Sequence, residues 1–187
     1  MAQLSGKHVA ILATNGFEQS ELLTPKQCLE AGGAEVDVIS LNSGKIKGWN
    51  KTDWGDEVAV DKTLDEAKID DYDALVLPGG ALNPDTLRTA PEAVDFVRNF
   101  FESKRPLAAI CHAPWLLAEA GLLEGRQITS YKSIKTDMIN AGADWVDKPV
   151  AVDQGLITSR NPGDLDAFCR KVIEEIAEGK HTHREVA

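Results

Sequence analysis

The chain has 187 residues, 30 acidic and 20 basic, for a net charge of −10, and 43% of it is hydrophobic. That length and balance predict one globular domain with a sizeable core, and the acidic surface argues against nucleic acid and anionic membranes as partners. The apolar runs are too short to span a bilayer, no secretory signal is visible, and three cysteines (Cys28, Cys111 and Cys169) without a Cys-x-x-Cys pair suit a reducing cytoplasm.

Residues 8–13 ("HVAILA") read as a buried strand, followed by the polar loop "TNGFEQSE". A helix then runs from Glu18 or Ser20 to Ala31 and stops at Gly32-Gly33. Residues 36–41 make a second strand, and the order strand, helix, strand predicts an α/β fold with a parallel sheet. Residues 42–70 are less regular: 46–49 and 58–60 suggest the short strands of an edge hairpin around "NKTDWGDE", with Trp49 and Trp54 placed to narrow a pocket. A buried strand over 74–77 ends at Pro78-Gly79-Gly80, and the next helix carries Val94, Val97, Phe100 and Phe101 on one face. The strand over 106–110 runs directly into Cys111, and the helix behind it is apolar almost all round, which predicts a central, covered position. Residues 150–152 and 156–159 flank "DQG" as a hairpin. The last helix carries Leu165, Phe168, Cys169, Val172, Ile173 and Ile176 on one stripe. From about residue 180 the tail reads as frayed, and its "HTH" at 181–183 lacks an evident third metal ligand. No repeat or linker divides residues 1–187, so one domain is expected.

Cys169 sits on an apolar stripe and Cys28 has no activating neighbour, so both read as packing residues. Cys111 lies between strand and helix, at the carboxyl edge of the sheet where open α/β folds bind ligands. A sharp strand-to-helix turn lifts such a residue out of the packing, and the free N–H groups of the helix start favour a thiolate. Pro114 suits a first helical turn. Position alone leaves a buried thiol and a nucleophile equally open. His112 next to it can act as base and then acid, or merely face solvent. Glu18, in the loop after the first strand, can reach the Cys111 sulfur or simply complement the helix dipole. Asp85 follows "PGGALNP" and can orient His112 or serve as a helix cap. An N–H at Gly79 or Gly80, with one just after Cys111, would make an oxyanion hole. No Gly-x-Gly-x-x-Gly run occurs, so no dinucleotide site is expected.

The segments "TNGFEQSEL", "LVLPGG", "AAICHAPWLL", "GRQITSYKSIKTDMINAGADWVD" and "LITSRNPGDLDAF" occur in order over nearly the whole chain and resemble the PfpI branch of the ThiJ/PfpI superfamily. The resemblance implies a flavodoxin-like three-layer sandwich, related to class I glutamine amidotransferases, with a mostly parallel sheet and a nucleophile elbow at Cys111. It implies Glu18 as the acidic partner of the sulfur, His112 as the adjacent histidine, and Gly80 with the His112 backbone at the oxyanion position. The third catalytic acid of the peptidase-like members, donated across a subunit interface, would correspond to Asp85, a shorter side chain than their glutamate. A homodimer or homohexamer is implied. So is cofactor-free and metal-free chemistry on a small aldehyde or peptide, as peptidase, glyoxalase or deglycase. The other reading of the same residues is an oxidative-stress sensor or holdase built on an oxidisable Cys111.

Overall fold

The computed structural model describes residues 3–185. β1 (His8–Leu12) alternates between two cores: Ala10 and Leu12 enter one, Val9 and Ile11 the other. A strand covered on both faces reads as an unbroken apolar run, as "HVAIL" does. β2 (Phe17–Glu18) leads into α1 (Gln19–Ala31), and β3 (Glu35–Ser40) returns parallel to β1 with Val9 opposite Val36. β4 (Lys45–Asn50) and β5 (Asp53–Ala59) form the expected hairpin, with Trp49 and Trp54 packed edge to face at 5.5 Å. The hairpin pairs with β2 rather than the main sheet, and β6 (Lys62–Thr63) takes the sheet edge beside β3. The alternating exposure of β4 leaves it one covered face only, which a separate three-stranded ribbon accommodates.

β7 (Ala74–Leu77) is followed by α2 (Leu82–Leu87), α3 (Pro91–Glu102) and β8 (Leu107–Ile110). After β8 come α4 (Pro114–Glu119), then β9 (Gln127–Ile128), α5 (Lys135–Asn140) and β10 (Asp144–Trp145). The chain closes with β11 (Val150–Asp153), β12 (Leu156–Ser159) and α6 (Leu165–Glu178). The main sheet has seven strands in the order β11-β12-β8-β7-β1-β3-β6, and only the β11–β12 pair is antiparallel. α3 and α4 pack into the core on one face and α1 and α6 into the core on the other, which makes a three-layer sandwich. Cys169 of α6 is 6% exposed, and its thiol meets that of Cys28 from α1. Among the described residues no helix is long and apolar enough to cross a membrane.

The short helix α2 was not expected from the sequence. The tail also departs from the expected fraying. Arg184 is 1% exposed and donates to the carbonyls of Gln154, Arg105 and Phe101 at 2.7, 2.9 and 3.2 Å. The Phe101 ring lies between the guanidinium groups of Arg184 and Arg126, 4.6 and 4.7 Å from its centroid.

Candidate active site

Cys111 stands in the turn between β8 and α4 with φ of 65°. A residue with a Cβ rarely adopts this left-handed backbone, which costs of order 1 kcal/mol and persists only where neighbours enforce it. Here the Cys111 N–H donates to the Ser159 carbonyl at 3.0 Å, and the Tyr131 N–H donates to the Cys111 carbonyl at 2.8 Å. The turn does not lift the side chain to the surface: Cys111 is 5% exposed.

The carboxyl group against the sulfur belongs to Glu21, not to Glu18. Glu21 is completely buried, its Oε2 accepts from the Gly79 N–H at 2.9 Å, and its carboxyl reaches the Cys111 thiol. Glu18 caps the start of α1 in an extended conformation; its side chain accepts from the Ser20 hydroxyl at 3.2 Å, and its N–H donates to the Gly79 carbonyl. The reason is helical geometry. Glu21 shares the inward face of α1 with Pro25 and Leu29, four and eight residues on, whereas Glu18 precedes the first turn. A charged residue on that apolar stripe is the signal in the sequence that identifies it.

Burial pushes the Glu21 carboxyl up to about 8, and the charge of Glu18 adds to the push. Burial, and after it the charge of Glu21, drives the Cys111 thiol above its usual range, while the N–H groups of Gly80 and His112 pull it back. The two acids therefore titrate as a pair. A thiolate forms most readily when Glu21 keeps its proton, because the opposing charge then becomes a hydrogen-bond donor.

His112 is oriented from both sides. Its Nδ1 is 3.1 Å from Cys111 Sγ and its Nε2 is 3.1 Å from the Ser133 hydroxyl. The ring stacks on Tyr131 with 4.6 Å between centroids and tilts against Trp115 at 5.2 Å. Burial lowers its pKa, so the imidazole is neutral near pH 7. A hydroxyl both donates and accepts, so Ser133 serves either tautomer. Asp85 does not orient His112 within the chain: it lies on α2, paired with Arg88 at 2.8 Å, and Arg88 in turn covers Trp115 at 4.5 Å. Ser133 and Tyr131, about twenty residues along the chain, are the orienting groups that sequence reading missed.

The Pro78-Gly79-Gly80 turn is fixed by the fully buried Asn83, which donates to the carbonyls of Pro78 and Gly79 and accepts from the Thr14 N–H at 2.7 Å. A Cβ on Gly79 would stand 2.5 Å from Glu21 Oε2 and 2.6 Å from both Cys111 Cβ and the Ile110 carbonyl, so only glycine fits. The Gly79 N–H is consumed by Glu21, which leaves the Gly80 and His112 N–H groups facing the sulfur. A cavity of about 450 Å³ opens beside Tyr131, between Lys132, Lys135, Trp145 and Arg160. The tryptophans of the β4–β5 hairpin are not among the residues lining it.

The fold and this pair define a class: flavodoxin-like α/β sandwiches with a strained cysteine at the carboxyl edge of the sheet, set against a buried carboxyl group. The chain belongs to the DJ-1/PfpI family, whose model matches residues 7–175. It is 43% identical over 166 residues to Deglycase PfpI of Pyrococcus furiosus, covering 89% of this chain and 97% of that one. It is 45% identical over 170 residues to General stress protein 18 of Bacillus subtilis, covering 90% and 96%. Among solved structures, Drosophila melanogaster DJ-1beta superposes with a TM-score of 0.83 at 32% identity, covering 91% of this chain and 90% of that one.

Proposed function

We propose that the protein is a cysteine-dependent enzyme acting on small 2-oxoaldehydes and their adducts, with Cys111 as nucleophile, Glu21 as the proton-holding partner and His112 as the proton carrier. The observation that carries this reading is the pair itself: a strained thiol in contact with a buried carboxyl group whose pKa is pushed up to about 8. Such a costly arrangement belongs to sites where proton position matters. The relative named as a deglycase supports a carbonyl substrate.

In the proposed reaction the sulfur attacks the aldehyde carbon of methylglyoxal and the carbonyl oxygen takes a proton, giving a hemithioacetal. The Gly80 and His112 N–H groups, which face the sulfur, would donate to the developing oxyanion. Neutral His112 then removes the proton from C1 and returns it to C2, which yields a thioester of the 2-hydroxy acid. Water hydrolyses the thioester, releasing lactate and the thiol, so the net change is methylglyoxal plus water to lactate. A peptidase reading asks for a third acid at His112, and Ser133 holds that position within the chain.

The test is turnover of methylglyoxal, and of methylglyoxal-treated peptide, by wild type and Cys111→Ala. Loss of both activities in the variant supports the proposal. Activity that survives in Cys111→Ala contradicts it, and inactivity of wild type together with first oxidation at Cys111 under mild peroxide replaces it with the sensor reading.

A further inference from the structure

The end of the chain brings together three side chains that the proposed reaction does not use. Glu175 and Glu178 lie a turn apart at the end of α6, and His181 follows just past Gly179, where the helix stops. One ligand-type atom from each, two carboxylate oxygens and an imidazole nitrogen, lies within 4.8 Å of the other two. Glu175 is 4% exposed, so a carboxyl group has been carried into the interior. Its Oε2 is 2.9 Å from His181 Nε2. Both atoms are shielded from solvent, and neither has a hydrogen-bond partner among the described residues, so the close approach lacks hydrogen-bond direction.

Donor atoms at that spacing without hydrogen-bond geometry resemble neighbouring ligands on one ion. Bonds of about 2.0–2.2 Å from Zn²⁺ to imidazole nitrogen and carboxylate oxygen put adjacent ligands roughly 3 Å apart. We propose that Glu175, Glu178 and His181 form a binding site for a divalent first-row transition ion, best matched by Zn²⁺, with water completing the shell. The imidazole ligand selects against Ca²⁺ and Mg²⁺, which take oxygen ligands. Glu178, at the solvent-exposed end of the helix, can close the remaining distance by a rotamer change.

Two cations stand nearby, Lys171 and Arg184, and Arg184 acts electrostatically on Glu175. Lys171 is 2.9 Å from Glu174 but 3.6 Å from Glu175, so its main partner lies elsewhere. Arg184 is bound to three carbonyls, and its buried Nη2 has no partner. That Nη2 and the His181 ring crowd the same space over Gly155, which suits donation to a metal-bound water. The site lies at the amino ends of β8 and β12, at the opposite sheet edge from Cys111: the His181 N–H donates to the Lys104 carbonyl, and the Gly155 carbonyl accepts from Leu107. Glu178 and His181 fall beyond residue 175, where the family match ends. The ion would staple the tail to α6.

Calorimetric titration of metal-free full-length protein with Zn²⁺ tests the site. Cys111→Ala removes thiol binding at the candidate active site and is expected to keep one equivalent. His181→Gln and Glu178→Gln, made in that background, are each expected to lose it; Glu178 is exposed, so its variant folds. Co²⁺ in place of Zn²⁺ is expected to give a ligand-field spectrum without a thiolate charge-transfer band. Zn²⁺ is also expected to raise Tm and slow carboxypeptidase trimming in the Cys111→Ala protein, but not after Glu178→Gln. No binding in Cys111→Ala, or binding unchanged by both tail substitutions, overturns the proposal.

Discussion

Glu21 is completely buried without a cationic partner among the described residues, and its carboxyl answers the cost of burial by keeping its proton. Its pKa rises from an ordinary 4.5 to about 8 on folding, so the folded chain holds a proton that the unfolded chain releases between those values. Stability therefore falls as pH rises through that window, by up to about 5 kcal/mol at one proton and 1.36 kcal/mol per unit. Urea denaturation at pH 5 and pH 8 is expected to show the loss in wild type and a much flatter response in Glu21→Gln. The same substitution is expected to lower methylglyoxal turnover by roughly 100-fold, since an amide cannot give up a proton. Glu18→Ala, by contrast, removes a charge that pushes on Glu21 and an acceptor for the Ser20 hydroxyl, and its turnover is expected to stay within about threefold of wild type. The placement of Cys111 and His112 at the end of β8, and of Gly79-Gly80 at the end of β7, was legible from the sequence because each follows a short apolar strand. Glu18 was named because the loop after the first strand reaches the carboxyl edge of the sheet, whereas the inward turn of Glu21 depends on how α1 packs.

At the level of elements, Cys111 follows β8, Gly79 and Gly80 follow β7, and Ser159 at the end of β12 holds the Cys111 N–H; the apolar runs of β1, β7 and β8 are why the sheet could be read from the sequence. The Pro78-Gly79-Gly80 turn transmits position from β7 to α1 through Glu21 and to α2 through Asn83. Gly79→Ala pushes a methyl group into three atoms at 2.5–2.6 Å. It is expected to cost about 2–4 kcal/mol in denaturant unfolding and to abolish turnover, because Glu21 and Cys111 cannot both keep their places. Ser133 and Tyr131 were not legible. They belong to an irregular stretch between β9 and α5, where no periodicity marks which residue turns inward, and only the tertiary fold sets them against His112. The helix α2 was missed for a similar reason: six residues containing a proline carry too little pattern.

Across the whole molecule, the tail closes the amino edge of the sheet while the reactive pair occupies the carboxyl edge. Arg184 binds three carbonyls from separate segments and covers Phe101, contacts that join the segment before β8, the β11–β12 turn and the end of α3. A terminal stretch rich in polar residues gave no hint of this, because a buried arginine is recognised by the carbonyls that surround it. Arg184→Ala is expected to cost on the order of 2–4 kcal/mol, lowering Tm by roughly 5–10 °C in a thermal melt, with turnover at 25 °C little changed. The function proposed for the other edge requires Cys111 and Glu21 to act as one titrating unit. The most direct measurement is the pH dependence of kcat/KM for methylglyoxal in wild type and Glu21→Gln. The expected result is a wild-type rate that falls as Glu21 loses its proton near pH 8, with that limb absent in Glu21→Gln and moved to lower pH in Glu18→Ala. Superimposable profiles for wild type and Glu21→Gln would contradict the account.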